Sequence, residues 1–83
     1  MKVAFKLFAT LTDYLPPERK GNVLALDVDE GTTVQALIDR YQVPAKLAHL
    51  VLVNGVFVPP GQRATYPLKE HDELAVWPPV AGG

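Results

Sequence analysis

The stretch "GTTVQALIDRYQVP", residues 31–44, contains the clearest helix pattern in the chain and decides the fold class. Its apolar residues recur at helical spacing and would form one stripe: Val34, Leu37, Ile38 and Tyr41. Thr32 or Thr33 is expected to cap the start, and Thr32 with Gln35 has the form of a capping box. Pro44 is expected to end the helix. Because one short helix is not stable alone, its stripe must pack on a sheet.

Two strands are predicted before this helix. Residues 3–8 and residues 23–29 alternate apolar side chains with other side chains, which is typical of half-buried strands. Between them, the Pro16-Pro17 break indicates a loop longer than a tight turn, with a helical turn near residues 12–15. We therefore expect the second strand to pair with the first.

Three more strands are predicted after the helix. Residues 50–53 and 56–58 are short apolar runs joined by Asn54 and Gly55. Asn-Gly is the strongest hairpin signal in the chain because both residues accept the positive φ of a type I′ turn. A last strand spans roughly residues 73–77 and is stopped by two prolines.

The element order is therefore β-β-α-β-β-β, which predicts an α+β fold. A β-grasp, in which a mixed sheet curls round one main helix, fits this order with a right-handed crossover, although other α+β rolls share the pattern. With 83 residues the chain is expected to form a single domain, residues 1–83, with a flexible C-terminal tail over residues 78–83.

Composition excludes several classes of function. The net charge is −1 and the 8 basic residues are scattered along the chain, which argues against nucleic acid as the main partner. No apolar run approaches the length of a membrane span, so no membrane association and a cytoplasmic location are expected. The chain has 0 cysteines, which excludes disulfides and thiolate chemistry on its own side chains.

No side-chain active site is predicted. His49 and His71 lie far apart in the sequence without a metal-binding spacing, so we expect both in surface positions and no metal site. The chain contains no serine, so a Ser-His-Asp triad is impossible. Its internal glycines are isolated near predicted turns and do not form a phosphate-binding loop: Gly21, Gly31, Gly55 and Gly61.

The phrase "VWPPVAGG", residues 76–83, is the one stretch with a pattern suited to chemistry. Its two prolines stiffen the exit from the last strand, and Val80 and Ala81 offer a small apolar grip. Gly82 and Gly83 have no Cβ, so the tail could thread through a narrow slit and present a carboxylate inside another protein. An ATP-using partner could adenylate that carboxylate, after which a sulfur or amine nucleophile could take the acyl group.

These motifs together resemble the MoaD/ThiS family of ubiquitin-like sulfur carriers over the whole length of the chain. The closing pattern is most similar to the small, sulfur-carrying subunit of molybdopterin synthase. Five motifs carry the resemblance: "LFA" at residues 7–9, "GTTVQAL" at 31–37, "LVNG" at 52–55, "PLKEHDELAV" at 67–76 and "PPVAGG" at 78–83.

The resemblance implies a mechanism and a set of partners. A ubiquitin-activating-like adenylyltransferase would consume ATP to adenylate Gly83, and a sulfur donor protein would convert it to a thiocarboxylate. The chain would then dock on the large, catalytic subunit of molybdopterin synthase and donate sulfur to a cyclic pyranopterin. Gly82 would allow passage while Val80 and Ala81 hold the tail. The chain would bind no cofactor and would be a non-catalytic subunit of a transferase.

The docking surface is expected on the exposed sheet face beside the tail. The candidate apolar contacts are Phe57, Leu68, Val76 and Trp77. Alternation along the last strand puts Val76 and Trp77 on opposite faces, so one of these two must be core. Relatives commonly have Gly-Asp where this chain has His71-Asp72, so this turn must either avoid a positive φ or accept strain.

Three alternatives remain open from the sequence. The chain could instead be a ubiquitin-like modifier whose Gly83 is linked to lysines on other proteins. It could also carry sulfur for another pathway, such as thiamine thiazole synthesis or tRNA thiolation. In the third and weakest alternative, a scaffold domain with an inert tail, deletion of Gly82 and Gly83 would change nothing.

Overall fold

The computed structural model describes residues 1–80 and arranges five strands and one α-helix in the predicted order. Two 3₁₀ helices, Ala9–Tyr14 and Pro60–Thr65, lie in the connections. The regular elements are β1 (Lys2–Leu7), β2 (Val23–Asp27), α1 (Val34–Arg40), β3 (Leu50–Val53), β4 (Val56–Phe57) and β5 (Glu73–Trp77).

The strands form one mixed sheet in the order β2-β1-β5-β3-β4. β1 pairs antiparallel with β2, as predicted, and parallel with β5. β3 pairs antiparallel with both β5 and β4. The last strand therefore lies in the middle of the sheet, and the tail leaves between the end of β1 and the start of β3.

The core lies between α1 and one face of the sheet, as the apolar stripe of the helix predicts. Tyr41, at the end of the stripe, packs its ring 5.4 Å from the ring of Phe5 in β1. The largest fully buried side chains come from all parts of the fold: Phe5, Leu7, Leu11, Leu37, Ile38, Leu74, Val34, Val51, Val53, Val58 and Val76.

Thr33 is the N-cap of α1, and the capping box suggested for Thr32 and Gln35 does not form. The Ala36 backbone N–H donates to Thr33 Oγ1 at 3.1 Å, whereas the Thr32 hydroxyl donates to the Asp29 carbonyl outside the helix. The Gln35 amide instead donates to the Asp39 side chain one turn later. The capping residue is thus the second of the two threonines.

The helix also ends earlier than Pro44 requires. Its last residue is Arg40, and Gln42 takes a left-handed conformation with φ of 60°. A left-handed residue just after the last turn is a common way to end a helix. The position of Pro44 is compatible with this end but does not cause it.

Replacing the capping threonine is expected to destabilise the domain. Thr33→Ala removes the only side-chain acceptor at the start of α1 and should lower the free energy of unfolding by about 1 kcal/mol. Thr32→Ala, the matched control, removes an exposed bond outside the helix and should cost less. Urea denaturation of both variants tests this, and an equal or larger loss for Thr32→Ala would contradict the assignment.

The predicted β3–β4 hairpin is present, and its turn is tied to β5. Asn54 and Gly55 have φ values of 51° and 82°, as a type I′ turn needs. The Asn54 amide donates to Asp72 Oδ1 at 2.8 Å and accepts from the Glu73 backbone N–H at 2.9 Å. This side chain therefore holds the hairpin against the turn that precedes β5.

His71 adopts a strained conformation in this turn. Its φ is 67°, a region where a Cβ is disfavoured, and its backbone N–H donates to the Lys2 carbonyl at 2.6 Å. The hydrogen bond fixes the turn although the residue is not glycine.

Relief of this strain is expected to stabilise the domain. His71→Gly should raise the free energy of unfolding by about 0.5 kcal/mol. The strain energy relieved in the folded state is expected to exceed the entropic cost of a more flexible unfolded chain. His71→Ala keeps a Cβ and serves as the control for loss of the imidazole. Chemical denaturation should rank the glycine variant above the alanine variant; the reverse order would show that backbone strain does not control stability at this position.

The 3₁₀ helix Ala9–Tyr14 replaces the helical turn predicted near residues 12–15 and buries Leu11. The second 3₁₀ helix, Pro60–Thr65, was not predicted. It buries an arginine, Arg63, which composition alone assigns to the surface.

Candidate functional site

The last strand is held on both sides up to its final residue. The Phe8 backbone N–H donates to the Val76 carbonyl at 3.1 Å, and the His49 N–H donates to the Trp77 carbonyl at 3.1 Å. Pro78 follows and has no N–H to continue the sheet. The sheet therefore ends at Trp77, and the tail begins at the next residue.

An aromatic stack lies at the base of the tail. The rings of Phe8 and Trp77 are 4.1 Å apart between centroids and 10° from parallel. A cleft of about 400 Å³ adjoins Trp77, and its lining includes Val80, which is 81% exposed. The cleft is lined by Ala9, Thr10, Trp77, Pro78, Pro79 and Val80. The first tail residues thus leave the domain along an apolar surface.

The remaining tail positions, Ala81, Gly82 and Gly83, lie outside the described residues. Within residues 1–80 no group of three metal-binding side chains could hold an ion, and no helix is long and apolar enough to cross a membrane. His49 and His71 are both exposed, as predicted. The part of the chain that the structure describes therefore supplies a support for the tail, and Gly83 stays the predicted reactive position.

One face of the sheet is open and partly apolar beside the tail. Phe57 is 51% exposed and lies opposite Leu52, which in turn lies opposite Ala75 of β5. Leu50 pairs with Trp77 on the same face. We call the apolar part of this surface the outer face: Phe8, Leu50, Leu52, Phe57, Ala75 and Trp77.

Two of the four predicted contacts are wrong because their side chains are buried. Val76 is fully buried on the core side of β5, so the alternation along this strand leaves Trp77 on the outer face. Leu68 is 3% exposed and packs in the core ahead of β5. Phe57 is exposed and Trp77 is partly exposed, and the role of both in binding stays a prediction.

Sequence reasoning missed Phe8, Leu50 and Leu52 as members of the outer face. A signal was present in β3, where residues 50–53 are apolar at every position instead of alternating. In a sheet with one solvent-facing side, such a run indicates that both sides carry apolar surface. Phe8 could be found only from its stack on Trp77, since it follows the last residue of β1.

Comparison with known proteins identifies the family. A model of the ThiS family matches residues 6–83, from within β1 through the tail. The chain belongs to the ThiS family. The family match and the β-grasp arrangement of sheet and helix together place this chain among the ubiquitin-like sulfur carriers.

Solved structures agree with this fold. SAMP1 from Haloferax volcanii is 27% identical, with a TM-score of 0.65 and 100% of both chains covered. A protein assigned as molybdopterin converting factor subunit 1 from Pyrococcus furiosus is 23% identical, with a TM-score of 0.67, covering 95% of this chain and 98% of the other. A chain in the Helicobacter pylori complex of molybdopterin-converting factor subunits 1 and 2 is 17% identical, with a TM-score of 0.62 and both chains 100% covered. No curated protein matches the chain.

Proposed function

We propose that this ThiS family chain is the sulfur-carrying small subunit of molybdopterin synthase, with Gly83 as the carrier. The observation that carries the role of Gly83 is the family match, which extends to residue 83. The likeness to molybdopterin converting factor subunit 1 supports the proposed acceptor. The support that the sheet gives to the tail at Trp77 agrees with a role in which the tail is presented to another protein.

The proposed chemistry takes place on the carboxylate of Gly83. A ubiquitin-activating-like enzyme would join this carboxylate to AMP from ATP and release pyrophosphate. Sulfide (HS⁻) delivered by a donor protein would then attack the carbonyl carbon, the bond to AMP would break, and the thiocarboxylate, AMP and a proton would result. The chain itself would bind no cofactor, because ATP is consumed by the activating partner, and the reaction would take place in the cytoplasm.

The outer face is the proposed docking surface for the large subunit. It is apolar, it adjoins the base of the tail, and its exposed aromatic residue Phe57 lies at the sheet edge. A complex of subunits 1 and 2 is known for the Helicobacter pylori relative, whose fold this chain shares. Aromatic side chains in such positions frequently dominate binding energy.

A charge on the outer face is expected to weaken large-subunit binding. Phe57→Asp should raise the dissociation constant about tenfold, because an exposed aromatic contact is lost and a charge is desolvated. Val56→Asp is the matched control: it adds the same charge at the neighbouring, more exposed residue whose side chain points to the other face. Titration calorimetry with the large subunit tests this, and equal weakening by both variants would contradict the assignment of the face.

The acceptor is tested by reconstitution. Thiocarboxylated chain, large subunit and cyclic pyranopterin should yield the dithiolene of molybdopterin, and chain with an unmodified carboxylate should not. If the thiocarboxylate forms but no dithiolene appears, sulfur carriage for thiazole synthesis or tRNA thiolation would replace this acceptor.

A protein modifier is the second candidate function, favoured by the likeness to SAMP1. A second structure of the Haloferax volcanii protein calls it small archaeal modifier protein 1. In that case Gly83 would form isopeptide bonds with lysine side chains. Peptide mass spectrometry that finds Gly83 only on branched lysines would favour the modifier, and its absence from such peptides would favour the carrier.

A further inference from the structure

A second cleft lies away from the tail, between α1, the segment before β3 and the second 3₁₀ helix. Its volume is about 340 Å³. Its lining contains the basic side chains of Lys46, His49 and Arg63 and no carboxylate, and the carboxylate of Asp39 adjoins it by accepting a hydrogen bond from Gln35. The seven lining residues are Gln35, Ala45, Lys46, Ala48, His49, Pro60 and Arg63. Lys46 and Arg63 carry two positive charges against the one neighbouring carboxylate, so the cleft has an excess of positive charge.

Arg63 is the buried one of the three basic side chains in this lining. It is only 5% exposed, and its guanidinium donates to three backbone carbonyls: Val58 at 3.1 Å, Ala48 at 2.7 Å and His49 at 3.2 Å. A guanidinium has five N–H donors, so two remain after these three bonds. The carbonyls hold the group in place and leave its net charge uncompensated.

No carboxylate of the described residues forms an ion pair with Arg63. Within residues 1–80 the one ion pair joins Lys6 and Glu73 in the sheet. Burial lowers the pKa of Arg63 by desolvation, yet an arginine keeps its proton at neutral pH. Each guanidinium nitrogen of Arg63 donates to a backbone carbonyl, but within residues 1–80 no carboxylate is paired with its charge. Buried charges in proteins are usually paired, so the charge balance of this group favours an anion at the cleft.

We propose that this cleft binds an oxyanion, a phosphate or a carboxylate, between Arg63, Lys46 and His49. Arg63 contributes a buried positive charge to the lining of the cleft, and Lys46 and His49 are exposed side chains of the same lining. Phosphate and carboxylate both present two negatively charged oxygens that can accept hydrogen bonds from one guanidinium. The source is either a free phosphate species or an acidic side chain of a docked protein.

The cleft is connected to the base of the tail through one residue. The His49 carbonyl accepts from Arg63 at 3.2 Å, and the His49 N–H donates to the Trp77 carbonyl at 3.1 Å. An anion on Arg63 would therefore lie one backbone unit from the point where the tail leaves the sheet. The proposal is independent of which acceptor receives sulfur.

The test is an NMR titration of the ¹⁵N-labelled chain with inorganic phosphate, with ionic strength held constant by chloride. We expect saturable shifts confined to amides of residues 46–49 and 61–63. Lys46→Ala should weaken binding about threefold, as loss of one exposed charge contact does. Lys69→Ala, which removes a lysine outside this cleft, is the matched control and should leave the affinity unchanged.

A parallel titration with N-acetylglutamate distinguishes the two sources. Tighter binding of phosphate would identify a free phosphate species, and tighter binding of the carboxylate would identify an acidic side chain of a partner. Absence of saturable shifts with both probes, or equal weakening by Lys46→Ala and Lys69→Ala, would overturn the proposal. These readouts are unaffected by failure of sulfur transfer.

Discussion

Deletion of Gly82 and Gly83 is expected to abolish sulfur loading completely and to leave the free energy of unfolding within about 0.5 kcal/mol of wild type. The reactive carboxylate is lost from its place, whereas the sheet ends before the tail, at Trp77. Loading is measured by incubating the chain with its activating enzyme, ATP and sulfur donor and then capturing thiocarboxylate with an alkylating reagent.

The control for this deletion is Lys20→Ala, a change at an exposed position in the β1–β2 connection. This variant should load as wild type does. Thiocarboxylate on the deleted chain would contradict the assignment to Gly83. Loss of loading together with loss of the folded state would instead trace the effect to stability.

Val76→Asp is expected to unfold the domain, at a cost of about 4 kcal/mol or more in the free energy of unfolding. Its side chain is fully buried between Leu7 of β1 and Val51 of β3, where a carboxylate would have no room and no water. Phe57→Asp places the same group on the outer face and should cost less than about 1 kcal/mol.

Circular dichroism and urea denaturation compare the two variants directly. A folded Val76→Asp chain with weakened partner binding would restore Val76 as a contact residue. A Phe57→Asp chain as unstable as Val76→Asp would contradict the separation of core and outer face along the sheet.

The fold was largely predictable because its signals are local. The stripe of α1 follows from 3.6-residue spacing, and the turn at Asn54-Gly55 follows from two residues that accept a positive φ. Both features are decided within a few residues of sequence. The strand order that puts β5 in the centre depends on pairings between distant segments, which periodicity does not indicate, and it was not predicted.

The site was predictable only in part because burial depends on tertiary packing. Leu68 lies outside any strand or helix, so no alternation indicates which way its side chain points. Arg63 is buried because carbonyls of two segments, Val58 in one and the adjacent Ala48 and His49 in the other, meet around its guanidinium, which no local sequence pattern indicates. Trp77, by contrast, lies in a regular strand, where alternation correctly separated it from Val76.

The central proposal is that Gly83 carries sulfur, and the intact mass of the protein from its native host tests it most directly. The measurement is made with and without the reagent that alkylates thiocarboxylates. We expect a species heavier by one exchange of oxygen for sulfur, localised to Gly83 by fragmentation and shifted further by the reagent. A chain found only with an unmodified carboxylate, or with Gly83 only in isopeptide bonds to lysine, would contradict sulfur carriage.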